Sequence, residues 1–423
     1  MSIEITRRSI LQSAAGMGLS FLMPAMNLRA AEDRGPKREK SLLVLWMSGG
    51  PSQLETWDPH PNSTTSHMEA SAIDTVIPGL QIDSRLEQMA EMMGDLNVIR
   101  TLTSKEGDHE RGSYFVKTGY RPIPKLVHPS ITSIVTERKP ATAKLKIPAH
   151  VSLSNGPFPA RGGFLGDTLD AFRVYNPGGN LNNLRAPVND KRQKRRLTSL
   201  DVVTRAFARG RKLVTDRTLH QLTVEQALQM MNTEQLKAFE LDDVPDAEKK
   251  AYGDSKFGRG CLVARRLIET GVRAIEVILN GWDTHASNFE GCTTQITQLD
   301  PAFAALMSDL KKRDLLDSTV VLCIGEFGRT PNINPLGGRD HWPKWFPCVV
   351  GGGGFTRGQV IGETDPTGKN DSVDEIRVQD LYATVFKALG IDHTHEFQTD
   401  IGRPISVTDQ GDPPAEPIDR LLV

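Results

Sequence analysis

Four side chains in the C-terminal half of the chain are of the types that hold metal ions. Asp283 and His285 stand in Gly281-Trp282-Asp283-Thr284-His285, Glu326 in Gly325-Glu326-Phe327-Gly328-Arg329-Thr330-Pro331, and His341 in Gly338-Arg339-Asp340-His341-Trp342-Pro343. Two imidazoles with two carboxylates suit zinc, and manganese or iron is acceptable to the same donors. Taken singly, a histidine beside a strand is usually structural, and Asp before Thr often only shapes a turn. Three such motifs close together favour a functional site. A further group lies upstream in Glu106-Gly107-Asp108-His109-Glu110-Arg111-Gly112-Ser113. Two readings stay open there. His109 is a base, nucleophile or metal ligand at a helix start, or Asp108 is an N-cap and His109 is merely exposed in the first turn.

These residues need elements to position them. Ala274 to Leu279 and Thr319 to Ile324 are apolar β-type runs directly before the Asp283 and Glu326 motifs, and Ser41 to Met47 is a third, ending at Ser48-Gly49-Gly50. Continuous apolar runs suit buried parallel strands. In an open α/β sheet, ligands bind beyond the carboxyl ends of the strands, so Asp283, His285, Glu326 and His341 should gather on one rim. The glycine-rich turn after the first run could hold an anion on backbone N–H groups, though it matches no phosphate-loop pattern. Leu96 to Arg100 and His150 to Leu153 read as further strands, as do Phe346 to Val350 and Gly358 to Gly362. Ser84 to Met93, Ile131 to Glu137, Asp300 to Leu315 and Val378 to Leu389 read as helices, the last closed by Gly390. Residues 155–183 are rich in Gly, Pro and Asn and read as loop, a candidate lid over the rim. Residues 199–270 carry a helical period. The repeated strand-loop-helix order predicts an α/β fold, a mainly parallel sheet covered by helices on both faces.

The chain has 423 residues, 24% of them charged, with a formal net charge of −1, so no global field recruits nucleic acid. The basic run Asp190 to Arg196 has no interleaved aromatics and reads as a solvated helix start. Cys261, Cys292, Cys323 and Cys348 show no C-x-x-C spacing and form neither a disulfide framework nor a zinc ribbon. Thr6-Arg7-Arg8-Ser9-Ile10-Leu11-Gln12 is a twin-arginine pattern before the uncharged stretch Ser13 to Ala25. That stretch is shorter than the ~20 residues of a membrane span, so residues 1–31 are expected to be an export signal handled by the twin-arginine machinery. Residues 32–40 are then a charged linker, and residues 41–423 a single α/β domain with a loop-rich and helical insertion at about 155–260. The mature protein is expected in the periplasm or otherwise exported, without a stable membrane span.

The run G-W-D-T-H, G-E-F-G-R-T-P, G-R-D-H-W-P, with the early L-W-M-S-G-G-P-S and the twin-arginine leader, resembles the bacterial family known as domain of unknown function 1501. The likeness covers essentially the whole mature chain. That family looks like a branch of the alkaline phosphatase and sulfatase superfamily, which implies a three-layer α/β/α sandwich. By that resemblance Asp283, His285 and His341 match the first metal site, although the usual Asp-to-His spacing is wider than this D-x-H. Glu326 falls where a carboxylate of the second site sits, but Phe327 replaces the histidine that normally follows it. Ser48-Gly49-Gly50 replaces the aspartate expected after the first strand, so one ion is implied rather than two. Asp108 to Gly119 is similar to the segment carrying the phosphatase nucleophile, with His109 at that position. The only candidate for a sulfatase-type formylglycine, Cys261, lacks the proline of the C-x-P-x-R context and lies mid-helix.

The expectation is therefore an exported metal-dependent hydrolase of phosphate or sulfate esters, acting on a small anionic ester or a sulfated or phosphorylated carbohydrate. The metal would polarise the ester oxygen, and His109, flanked by Asp108, would serve as nucleophile or base. Arg111 or Arg329 would clamp the anionic group. The alternative is a non-catalytic binding protein for a polysaccharide or a cell-surface partner.

Overall fold

The first strand, β1 (Ser41–Ser48), is buried along its whole length and divides the molecule into two faces. Side chains of a strand alternate, and Leu43, Leu45 and Met47 enter one apolar core while Leu42, Val44 and Trp46 enter another. Fully burying each such side chain is worth about 1.5–3 kcal/mol. The computed structural model describes residues 38–423 apart from 180, 182–185, 210–219 and 400–401. The expected export signal, residues 1–31, lies outside the described residues.

In chain order the remaining strands of the main sheet are β2 (Leu96–Thr103), β3 (His150–Leu153), β4 (Phe172–Val174), β5 (Ala274–Asn280) and β6 (Thr319–Ile324). A short hairpin of β7 (Gly328–Arg329) and β8 (His341–Trp342) follows, outside the sheet, and then β9 (Phe346–Gly352), β10 (Val360–Ile361) and β11 (Ile376–Arg377) rejoin it. The spatial order is β10-β2-β9-β6-β1-β5-β3-β4, with β11 also on β2. Only β9 runs antiparallel to its neighbours. Ser48 is in register with Asn280, and Trp46 with Ile324, so β1, β5 and β6 end on a common rim.

Helices cover both faces. Those of eight or more residues among the described ones are α1 (His109–Thr118), α2 (Ile131–Arg138), α3 (Asp190–Ala208), which buries no side chain, α4 (His220–Met231), α5 (Lys256–Thr270), α6 (Asn288–Lys312) and α7 (Val378–Leu389). Helices α5 and α6 pack in the core of Leu43 and Leu45, and α2 and α7 in that of Val44 and Trp46. The three-layer α/β/α arrangement expected from the sequence is therefore present. Helix α7 has the expected bounds and stops at Gly390, which is left-handed at φ 72°. Helix α6 differs, beginning well before the expected Asp300 and carrying Pro301 inside it. Cys292, Ile296, Leu299 and Phe303 form its buried stripe, and that packing outweighs the proline. The Asp300 carboxylate accepts from the Gln88 and Met89 amides at the start of the short helix Glu87–Met92. Residues 155–179 are mostly loop but contain β4, and the helical period past residue 199 resolves into separate helices. No helix among the described residues is long and apolar enough to cross a membrane.

Candidate metal centre

Helix α1 begins at the rim because Asp108 caps it. The Asp108 Oδ1 accepts from the amides of Glu110 at 3.0 Å and Arg111 at 3.1 Å. An N-cap of this kind stabilises the helix by about 1 kcal/mol. It also sets His109 as the first helical residue. Beyond β5, Gly281 turns the chain at φ 102°, which glycine alone adopts without strain, and Asp283 and His285 follow. Beyond β6, the β7–β8 hairpin pairs His341 with Arg329 and folds back over the same rim.

Four donors meet there. His109, Asp283, His285 and His341 each offer one atom, and all these atoms lie within 4.8 Å of one another. Asp283 Oδ1 is 3.2 Å from His109 Nε2, 3.2 Å from His285 Nε2 and 3.6 Å from His341 Nε2. His285 Nε2 and His341 Nε2 are 3.0 Å apart. A tetrahedral zinc ion with bonds of 2.0–2.1 Å requires donor separations of about 3.3 Å.

The outer partners explain why this set calls for a cation. His109 Nδ1 is 2.8 Å from Glu326 Oε1, His285 Nδ1 is 2.9 Å from Asp340 Oδ1, and His341 Nδ1 is 2.7 Å from the Gly107 carbonyl. Each of these oxygens accepts only, so each Nδ1 carries a proton, and an imidazole in its neutral form then presents an Nε2 lone pair toward the cluster. Three lone pairs and a carboxylate oxygen then face one another, and His109 Nε2 is buried without a hydrogen-bond partner. Without a positive charge between them the donors repel. The residues fit a divalent ion of the zinc type, with the second partners that ligand histidines ordinarily have.

Charges around the cluster shift its titration. The hydrogen bond to Glu326 raises the His109 pKa, against the effect of burial. Burial lowers that of His341, helped by the positive charge of Arg329. At Asp283 burial pushes upward, but the hydrogen bond and charge of Arg329, with His109, carry the net shift below the ordinary carboxylate value. Asp340 is lowered chiefly by its bond to His285.

The structure redistributes several expected roles. His109 joins the donor cluster, its Nε2 aimed inward and its Nδ1 held, rather than standing free as a nucleophile or base. Glu326 is displaced outward: it is buried, and its Oε1 accepts from His109 and from the Gly49 amide at 2.9 Å. That bond also engages the amide of the glycine turn expected to hold an anion. Asp108 is engaged as a helix cap. Arg111 is exposed and bidentate to Glu106, at 2.7 and 3.1 Å. Arg329 is fully buried. Its guanidinium donates to the carbonyls of Gly49, Gly50 and Arg339 and to Asp283 Oδ1 at 2.7 Å. It orients a donor carboxylate instead of clamping a substrate. Asp283, His285 and His341 come together as expected.

Asp340 and the Gly107 carbonyl were not singled out from the sequence. Asp340 had a readable signal, since a carboxylate next to a ligand histidine is a natural outer partner. Gly107 had none, because a backbone oxygen has no sequence signature. Phe327 forms the floor, its buried ring 5.0 Å from the His109 ring and 4.5 Å from that of His341. Packing is tight beneath Asp283 as well. A Cβ on Gly49, at φ +114°, would lie 2.4 Å from the Asp283 nitrogen.

Comparison with known proteins gives a family and a set of folds. The family model described as "Protein of unknown function (DUF1501)" matches residues 39–422. No curated protein matches the chain. Among solved structures, the alkaline phosphatase from the Antarctic bacterium TAB5 is 14% identical, over 84% of this chain and 99% of that one, with a TM-score of 0.39. The PsFucS1 sulfatase from Pseudoalteromonas sp. is 10% identical over 84% and 68%, TM-score 0.40. A protein in the alkaline phosphatase superfamily from Vibrio parahaemolyticus is 11% identical over 84% and 67%, TM-score 0.37.

Proposed function

The chain belongs to the DUF1501 family, and we propose that it is a metal-dependent hydrolase of phosphate or sulfate esters, exported by the twin-arginine route to the periplasm or beyond. The observation that carries this reading is the convergence of three Nε2 atoms and one carboxylate oxygen, each imidazole oriented from behind. Zinc suits three nitrogens and one oxygen at these separations, and manganese or iron would be accepted less well. With Glu326 behind His109, the donors suffice for one ion.

A divalent ion bound there would supply Lewis acidity toward an ester oxygen and toward water. The chain's own part is orientation. Asp340, Gly107 and Glu326 hold the imidazoles, Arg329 holds Asp283, and Phe327 closes the floor against water. The side chains of Asp283 and His285 are 47% and 46% exposed, which leaves the outer side open to a small anionic ester or the anionic group of a sulfated or phosphorylated carbohydrate.

One observation favours a second reading. Four protein donors fill a tetrahedral shell, as in structural zinc sites, whereas catalytic sites keep a position open. A non-catalytic binding protein for a polysaccharide or a cell-surface partner would need nothing more. The test is to purify the exported chain, measure bound metal in it and in Asp283→Ala and His341→Ala, and assay aryl phosphates, phosphodiesters and sulfates. Metal held by the natural chain, lost from both variants and accompanied by turnover supports the hydrolase. Metal without turnover of any ester selects the binding protein. Absence of metal ends both.

A further inference from the structure

His109, Ser113 and Lys117 recur every fourth residue of α1 and so share one helix face. His109 belongs to the donor cluster, while Ser113 and Lys117 line a cleft of about 550 Å3 between α1, residues 122–130 and residues 157–161. Ser113 is fully buried, and its Oγ has no hydrogen-bond partner. Its polar neighbours are all engaged. Tyr114 Oη is 2.7 Å from His128 Nδ1, Thr118 Oγ1 donates to the Tyr114 carbonyl at 2.8 Å, and Lys117 Nζ donates to Glu276 Oε2 and the Phe158 carbonyl, both at 2.7 Å. A buried hydroxyl left unpaired is costly in a finished fold. Here it borders a space large enough to bring it a partner.

The other walls identify that partner's chemistry. Ile123, Leu126, Val127, Pro157, Phe158 and Pro159 make them largely apolar, and Ile123 and Val127 stand exposed at the mouth. The Lys117 charge is neutralised by Glu276 beneath it, and Glu110 and Arg161 put one charge of each sign on the lining. The cleft therefore favours neither an anionic nor a cationic body. Four residues of helix rise about 6 Å, so Ser113 stands about one turn along α1 from His109, and Glu110, the residue after His109, also lines the cleft.

We infer that this cleft receives the organic group of the substrate, an aromatic or otherwise apolar group with one hydrogen-bonding atom opposite Ser113 Oγ. This rests on the ester-hydrolase reading for what occupies the cluster, but it is tested by binding alone. The probe is 4-nitrophenol added to the zinc-loaded full chain, followed by saturation-transfer NMR and calorimetry. The unaltered chain should bind it, Ser113→Ala about five-fold more weakly, and Ile123→Asp, at the exposed mouth where folding tolerates a charge, at least about ten-fold more weakly. Zinc content and melting temperature should stay as in the unaltered chain. Failure of 4-nitrophenol to bind, or equal binding by both variants, overturns the inference whether or not esters are hydrolysed. Binding with these differences, but no turnover of any ester, upholds the cleft and removes only the hydrolase.

Discussion

Replacing Asp340 by alanine isolates the contribution of an outer partner to the candidate metal centre. Asp340 donates nothing to the cluster itself. Its Oδ1 accepts from His285 Nδ1 at 2.9 Å, and its side chain is 59% exposed, so the fold loses little when it is cut back. What is lost is the constraint that keeps His285 Nε2 a lone pair aimed at Asp283 and His341. Outer partners of ligand histidines are worth about 10–100-fold in metal affinity, and exposure places this one at the low end, about ten-fold or 1.4 kcal/mol. Glu326 is the contrasting case. It is buried, and Glu326→Ala leaves both His109 Nδ1 and the Gly49 amide without an acceptor, which places it near about 100-fold or 2.7 kcal/mol. Competition titration against a zinc-binding dye at pH 7.5 measures both. If Asp340→Ala holds zinc as tightly as the unaltered chain, the imidazoles are not oriented from behind and the tautomer argument fails.

Other outcomes are expected. Gly49→Ala should destabilise the protein by about 3 kcal/mol or more in urea titration, since its φ is +114° and its Cβ would strike the Asp283 backbone. Glu55→Ala should cost about 3–5 kcal/mol by the same measurement. It strips the fully buried Arg339 of an ion pair with contacts of 2.8 and 3.1 Å. Burial lowers His128 to about 4, with the Arg403 charge acting in the same direction. The unfolded chain therefore takes up a proton below about 6.5 that the folded chain refuses until about 4. That share of stability, at most about 3 kcal/mol, is complete above pH 6.5 and disappears as pH falls to 4. His128→Phe keeps a ring against Tyr120, and its urea midpoint should be correspondingly flatter over that window. Chelation should lower the melting temperature of the unaltered chain and leave that of Asp283→Ala unmoved, because a ligand stabilises only the fold that binds it.

The sheet was legible because its strands are continuous apolar runs, and helix α7 because its stripe ends at Gly390. Asp283 and His285 were legible because their motif sits where a strand ends, and His341 because its motif follows in the loop after the next strand. What the sequence could not convey is reach. Glu326 and His109 are both polar residues past strands; the first was expected among the ligands, and the second was left open between metal ligand, base and nucleophile. In the fold Glu326, only two residues beyond β6, stays buried under the rim and touches the back of an imidazole. His109 is carried further by the capped start of α1 and attains the centre. Arg329 misled in the same way, since a guanidinium that binds three backbone carbonyls inside the protein looks, in sequence, like one that binds substrate. The early start of α6 was hidden by Pro301, whose usual place is the first turn.

The reversed direction of β9 has a consequence for how this centre can change. Because β9 descends beside β6, the chain leaving β6 need not return to the opposite end of the strands before re-entering the sheet. Residues 325–345 can therefore remain on the surface where they begin, and from that one excursion come Glu326, Phe327, Arg329, Asp340 and His341. Lengthening or rewriting this single span would alter the centre's lining while every strand beneath keeps its neighbours.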